Sequence, residues 1–300
     1  MATLKQLRRR IRSVENTQQI TKAMEMVAAA KLRRAQQRAE SIRPFSQKMQ
    51  EVLQSLAQSP DVRIDTLFVV REVRRRAYII IASDKGLCGS YNANLFRQVE
   101  TDLKDRDPKT IQLIPVGRRA WEYFHRRHWE MSDPFRHLGD QLNPALATEL
   151  ARLSVEMYKS GEVDQVDLIF THFVTAARRV IVEEPLLPIR PPAEPAVQPA
   201  AESAAQPGSE TETEELEYIF EPSAEEILKS LLPRYVEGRV RTAIADALAS
   251  EHSARMLSMG NATRNANDMI RSLTLLRNRL RQAAITKELG EIVGGAEALR

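Results

Sequence analysis

Several features that often mark an enzyme or a membrane protein are scarce in this sequence. It has one cysteine, Cys88, and five scattered histidines among 300 residues, so neither an internal disulfide nor a Cys/His metal cluster is expected. No stretch approaches the roughly 18 uncharged apolar residues of a membrane span. The basic N-terminus is not followed by the apolar segment of a signal peptide. The sequence therefore predicts a cytosolic protein without a metal site.

Charge is distributed unevenly along the chain. Residues 1–43 carry eleven Lys and Arg against three Glu, whereas residues 191–222 carry eight Glu and no Lys, Arg or Asp. The basic end invites a nucleic-acid interpretation, but aromatic residues are only 5% of the chain and the first 44 residues contain none on which bases could stack. We therefore favour a solvated helical face or a seat in an acidic protein partner. A coiled-coil nucleic-acid-binding protein is kept as the alternative.

The first 43 residues contain neither proline nor glycine, which predicts one long helix within 1–58. Apolar residues recur alternately three and four positions apart from Leu4 to Leu56, as in the seam of a coiled coil. The seam has a polar interruption at Gln18, Thr21 and Glu25. Pro44 is expected to kink this helix or to end it one turn early.

A second long helix is predicted at the C-terminal end, within 223–300. Its seam is expected to follow the same three-four spacing through Met259, Ala262, Ala266, Met269, Leu273, Leu276, Leu280 and Ala283. At about 1.5 Å per residue this helix is longer than the first one. If the two pair antiparallel, the last turns of the second have no helical partner.

Residues 75–190 show the period of an α/β domain. Short apolar strands at 78–83, 111–117 and 167–174 alternate with helical stretches, which predicts a parallel sheet, and residues 178–189 are expected to add an antiparallel edge strand. The fold class is thus α/β: a long antiparallel two-helix coiled coil with a central Rossmann-like domain. The Pro- and Glu-rich stretch at 191–217 is interpreted as a flexible insertion.

The stretch "YIIIASDKGLCGSYN", residues 78–92, resembles a phosphate-binding loop at first sight. A P-loop needs a lysine followed by Ser or Thr after its last glycine, and a dinucleotide fingerprint needs three spaced glycines; neither is present. Asn92 is expected to cap the following helix, Cys88 to be a buried thiol, and Asp84 and Lys85 to bind a partner or cap the turn. A nucleotide-dependent α/β enzyme is the second alternative.

Four segments carry a resemblance to a known family: "LRRRIRSVENTQQITKAMEMVAAAKLRRAQ", "SDKGLCGSYNANL", "SEHSARMLSMGNAT" and "RQAAITKELGEIVGGAEAL". They closely resemble the signature segments of the γ subunit of F-type ATP synthase, in the same order along nearly the whole chain. The resemblance implies a non-catalytic rotor. Its two-helix shaft would lie inside the hexamer of α and β subunits, and its foot would contact the ε subunit and the c ring.

The resemblance also implies contact residues, and no catalytic, cofactor-binding or metal-binding ones. Contacts with the α and β subunits are expected at Arg8, Arg9, Arg10, Gln18, Thr21, Lys22, Met24, Arg255, Gln282, Ile285, Thr286, Leu289, Ile292 and Val293. Contacts of the foot with the c ring and ε are expected at Asp84, Lys85, Gly86, Leu87, Cys88, Tyr218 and Glu221.

The insertion at 191–217 departs from the family pattern as we expect it in a bacterial γ subunit. Photosynthetic relatives carry a regulatory insertion near this region, in chloroplasts with a cysteine pair, but this segment has no cysteine. Thiol regulation is therefore not carried over. A bacterial protein at the cytoplasmic face of the cell membrane, held there through its complex, is the expected setting.

Overall fold

The computed structural model describes residues 4–58, 66–104, 106–132, 135–189 and 224–297. Two long helices bracket the chain, α1 at Leu4–Gln58 and α5 at Ala224–Glu297. Between them lie four strands, β1 (Arg76–Ile81), β2 (Ile111–Val116), β3 (Gln165–Phe173) and β4 (Arg179–Leu187). Three shorter helices connect the strands, α2 (Tyr91–Leu103), α3 (Arg118–His125) and α4 (Pro144–Ser160). The insertion at 191–217, Tyr218 and Glu221 lie outside the described residues.

The strands form one sheet in the order β2-β1-β3-β4. The first three are parallel and β4 runs antiparallel to β3, as the sequence predicts. Residues of β1 alternate between the two faces of the sheet because side chains in a strand point to opposite sides. Tyr78 and Ile80 pack with α2 and α3, while Ile79 and Ile81 pack with α4 and α5. Both faces of the sheet are therefore covered, and the predicted α/β fold class is confirmed.

The two long helices run antiparallel and pack along each other. Every predicted seam position of α1 from Leu4 to Leu53 is buried or half-buried. The register is fixed by Gln18, whose Nε2 donates to Asn267 Oδ1 at 2.9 Å, and by Thr263, whose hydroxyl donates to Thr21 Oγ1 at 2.9 Å. The polar interruption of the seam is thus a layer of hydrogen bonds between the helices, and such layers favour one register over others.

Two details of the helices differ from the prediction. Helix α1 continues through Pro44 instead of ending there, since the carbonyl that loses its bond belongs to exposed Glu40 and the turns beyond are buried at Met49 and Leu53. The predicted seam of α5 is buried at Met259 and Ala266, but Thr263 is buried as well and Met269 is 43% exposed. Alanine-rich sequence allows more than one face to be read as a seam.

Among the described residues, no helix is both long enough and apolar enough to cross a bilayer.

Candidate protein-contact surfaces

The C-terminal part of α5 extends beyond its partner helix. The bonds from Gln18 to Asn267 and from Thr21 to Thr263 place Leu4 opposite about residue 281 of α5. Beyond that point the large apolar side chains stay exposed: Ile285 by 49%, Leu289 by 58% and Ile292 by 68%. An isolated amphipathic helix is only marginally stable in water. This tip is therefore suited to a binding site in which a partner protein encloses it.

The polar residues predicted for contact at this tip are also exposed. Gln282 and Thr286 are exposed, and the Thr286 hydroxyl donates to the Gln282 carbonyl at 3.0 Å within their own helix. Nothing is described of the Val293 side chain. The sequence prediction that the final turns lack a helical partner is confirmed by the exposure of the tip.

The basic residues of α1 lie on its outer face. Arg8, Arg9 and Arg10 are exposed, and Lys22 makes only a solvent-exposed ion pair with Glu25 at 3.3 Å. Such pairs contribute little to stability because water screens them. These side chains remain accessible to an acidic partner.

Arg255, by contrast, is buried inside the chain. Its guanidinium lies 2.6 Å from the Glu251 carboxylate and donates to the carbonyls of Lys85 and Gly86 at 3.3 Å. Burial raises the pKa of Glu251, and the neighbouring Arg255 opposes that rise. Arg255 thus joins α5 to the loop after β1. Its expected contact with the hexamer stays a prediction, with its Nε and Nη2 donors already engaged inside the chain.

The loop after β1 is anchored to other parts of the domain by the side chain of Asp84. The Asp84 carboxylate accepts from the backbone N–H groups of Arg118, Leu138 and Gly139 at 2.9–3.1 Å, so it ties three chain segments together. Burial raises the pKa of the Cys88 thiol, in keeping with an inert buried cysteine.

The expected capping role of Asn92 is wrong. Helix α2 begins at Tyr91, with Ser90 as its N-cap, and Asn92 lies inside the first turn. Its side chain turns back to Ser83, accepting from the Ser83 backbone N–H at 3.2 Å and donating to the Ser83 hydroxyl at 2.8 Å. The sequence correctly places Asn92 near the start of the helix, but its side-chain amide binds Ser83, just after β1, instead of the helix N-terminus.

Close packing of the loop against α5 requires Gly89. Its φ is +61°, and a Cβ at this position would lie 2.6 Å from the Ser258 hydroxyl oxygen. Glycine is the residue that tolerates both conditions. Gly89 thus serves the packing of the loop against α5.

A cleft of about 600 Å³ opens between this loop and α1. Met24 and Val27 of α1 and Leu87 of the loop form its apolar part, and the charged side chains of Lys85, Arg119 and Asp140 also line it. Val27 and Leu87 are 55% and 63% exposed. Leu87 also has a φ of +62°, a strained conformation for a residue with a side chain. Sequence reasoning picked out Met24 and Leu87 but missed Val27 and Arg119.

The cleft lies far from the end of α1 at Gln58 and from the start of α5 at Ala224. Lys31, beside the cleft, is 27 residues from Gln58, or about 40 Å along α1. Arg255 is 31 residues from Ala224, or about 47 Å along α5. The structure therefore brings Lys85, Gly86 and Leu87 beside Met24, at the edge of the domain where the coil emerges. We call this the upper edge, and the end carrying Gln58 and Ala224 the base.

These surfaces define a class of protein: a rod of two helices fixed in an α/β domain, with an unpartnered tip and a cleft suited to protein contacts. The model of the ATP synthase family matches residues 3–299. The ATP synthase gamma chains of Desulforamulus reducens and Moorella thermoacetica are each 45% identical to this chain, over the full length of both proteins. The chain therefore belongs to the ATP synthase γ-chain family.

Solved structures agree with this assignment. A chain of the central stalk and c ring of the Tetrahymena thermophila mitochondrial ATP synthase is similar with a TM-score of 0.58 and 25% identity, covering 81% of this chain and 99% of that one. A rotor chain of the Euglena gracilis enzyme has the same fold, with a TM-score of 0.62 at 17% identity, covering 94% and 98% of the two chains. The chain is a non-catalytic central-stalk subunit, and the nucleic-acid alternative finds no support.

Proposed function

We propose that the chain turns with the c ring and drives the β catalytic sites through two separate surfaces, the tip of α5 and the cleft at the upper edge. In this proposal the shaft lies inside the hexamer of α and β subunits. The base contacts the c ring and ε at the cytoplasmic face of a bacterial cell membrane. Membership in the family supports this arrangement, and the exposed apolar tip supports the direction in which the shaft enters.

The cleft at the upper edge gives the strongest support for contact with the hexamer. It combines exposed Val27 and Leu87 with Lys85 and Arg119 at the point where the coil leaves the domain; these two cations are ion-paired with Asp140 and Glu122 but keep side chains that are 60% and 43% exposed. An acidic loop carrying an apolar side chain fits such a surface, because it can bury the apolar groups while facing the positive charges. A rotor that meets such a loop in only some rotary positions biases the catalytic sites in sequence.

The same geometry changes the proposed role of residues 84–88. The resemblance implied a contact with the c ring and ε, but these residues lie at the upper edge, about 40 Å along α1 from the base. We therefore propose that Lys85 and Leu87 face the hexamer, while Asp84 and Cys88 hold the loop in shape. Tyr218 and Glu221 stay proposed for the contact with the c ring.

Site-directed photocrosslinking in the assembled complex tests this placement. A photoreactive residue at Leu87 is expected to crosslink to an α or β subunit. A matched probe at Val70, which is 67% exposed and precedes β1 at the opposite end of the sheet, is expected to reach ε or c. If the probe at Leu87 reaches ε or c instead, the proposed orientation of the loop is wrong.

A further inference from the structure

Helix α1 is attached to the α/β domain mainly through α5. It packs along α5 over most of its length and makes few contacts with the sheet or with α4. Near its C-terminal end, Met49 and Leu53 enter the apolar core. Farther along, the described side-chain bonds from α1 to the domain come from Lys31 and Arg38, which reach residues 140 and 141.

Asp140 forms ion pairs with two lysines that belong to different elements. Its carboxylate lies 2.8 Å from Lys31 Nζ of α1 and 2.9 Å from Lys85 Nζ of the loop after β1. These two hydrogen bonds lower the pKa of Asp140 to about 2, so the carboxylate is charged at any physiological pH. The loop that carries Lys85 is in turn bound by Arg255. Residue 140 thus closes a ring of contacts from α1 through the loop to α5.

A second contact fixes the backbone of Asp140. The Nε2 atom of His252 lies 3.3 Å from the Asp140 carbonyl oxygen, and His252 is 1% exposed on α5. The Asp140 and Lys31 side chains are 36% and 32% exposed, so their ion pair adds little to the free energy of folding. The consequence of the ring is therefore geometric rather than energetic.

We propose that Asp140 is a torsional strut that fixes α1 to the domain where the coil emerges, and so stiffens the shaft. Without it, the nearest side-chain bond from α1 to the domain is that of Arg38 to Gln141, 34 residues from Leu4; with it, the free part ends at Lys31, 27 residues from Leu4. The twist of a rod under a given torque grows with its free length. Loss of the strut then raises the compliance of the shaft by at most about 1.3-fold, the ratio of these lengths, since α5 keeps its own anchorage. The inference goes beyond the contacts proposed above and holds whichever subunit meets the cleft.

The test measures the angular fluctuation of the rotor in the whole complex. With the hexamer immobilised and rotation stalled by omission of ATP, a nanorod on the base reports the variance of the rotor angle, which is proportional to compliance. Asp140→Asn and Lys31→Met are each expected to raise this variance by about 1.1- to 1.3-fold. The double variant is expected to match the single ones, because each removes the same bridge.

Control variants separate the strut from a general loss of structure. Asp140→Glu keeps the charge and is expected to restore most of the stiffness. Glu130→Gln breaks a comparable ion pair with Arg75, 2.8 Å long but remote from α1, and is expected to leave the variance unchanged. If Asp140→Asn does not assemble, Lys31→Met decides, because it leaves the bond between Asp140 and Lys85 in place. A variance below about 1.1 times that of the unmodified complex, or an equal rise in Glu130→Gln, overturns the proposal.

Discussion

Replacing Arg255 with methionine tests whether this residue serves the interior of the chain. Methionine keeps much of the volume but leaves the Glu251 carboxylate, 3% exposed, without its counter-charge. The carbonyls of Lys85 and Gly86 lose a donor as well. Removing one partner of a buried ion pair costs about 3–5 kcal/mol of stability.

That cost corresponds to a fall in melting temperature of roughly 6–20 °C, at about 2–4 °C per kcal/mol for a chain of this size class. Thermal unfolding of the purified chain, followed by circular dichroism, measures it. Arg271→Met, an exposed change on the same helix, is the matched control and is expected to shift the melting temperature little. The double variant Arg255→Met with Glu251→Leu is expected to recover part of the loss, since it leaves no unpaired charge.

The pH dependence provides a second check. Without Arg255, the pKa of Glu251 rises further above its ordinary value, because the opposing charge is gone and burial remains. A carboxyl whose pKa is raised in the folded state loses stability as pH rises through that pKa. The deficit of Arg255→Met is therefore expected to be larger at pH 8 than at pH 5. A melting temperature within 3 °C of the unmodified chain at pH 8 would refute the internal role.

Three further predictions follow from other sites. Met24→Lys adds a cation beside those of the cleft, and we expect the ratio of proton pumping to ATP hydrolysis in inverted vesicles to fall while assembly is retained. The control Ala30→Lys, at an exposed position of α1 outside the cleft, should leave this ratio unchanged. Burial raises the pKa of Asp167 to about 6, so Asp167→Asn should raise the free energy of unfolding at pH 8, by up to about 3 kcal/mol, and Glu149→Gln should not. Burial lowers the pKa of His252 to about 4, so the unmodified chain should lose stability, on the order of 3 kcal/mol, as pH falls from 6.5 to 4, and His252→Gln should lose less. Equal pH profiles for variant and unmodified chain in urea titrations would contradict either of the last two.

Much of the candidate surface was accessible to sequence reasoning because it depends on local periodicity. The outward placement of Met24 follows from the seam through Thr21, Glu25 and Ala28, and all three of those positions are buried or half-buried. The exposed tip follows from the unequal lengths of two antiparallel helices. The spacing of Glu251 and Arg255, four residues apart on one helix, also signalled their pairing, although sequence reasoning assigned Arg255 to a partner.

Contacts between segments distant in sequence required the tertiary structure. No pattern links Asp140 to Lys31, 109 residues away, or Arg255 to the carbonyl of Lys85, 170 residues away. The position of Leu87 beside Met24 is of the same kind, since it depends on how the sheet lies across the coil.

The sequence by itself determined the two long helices, the parallel sheet with its antiparallel edge, and the family, because helix and strand periods and signature segments are local properties of the chain. Only the tertiary structure decided which charged groups are internal and which face a partner. That distinction depends on packing: the same arginine is a free cation on a solvated face or a buried clamp, according to which loop folds over it.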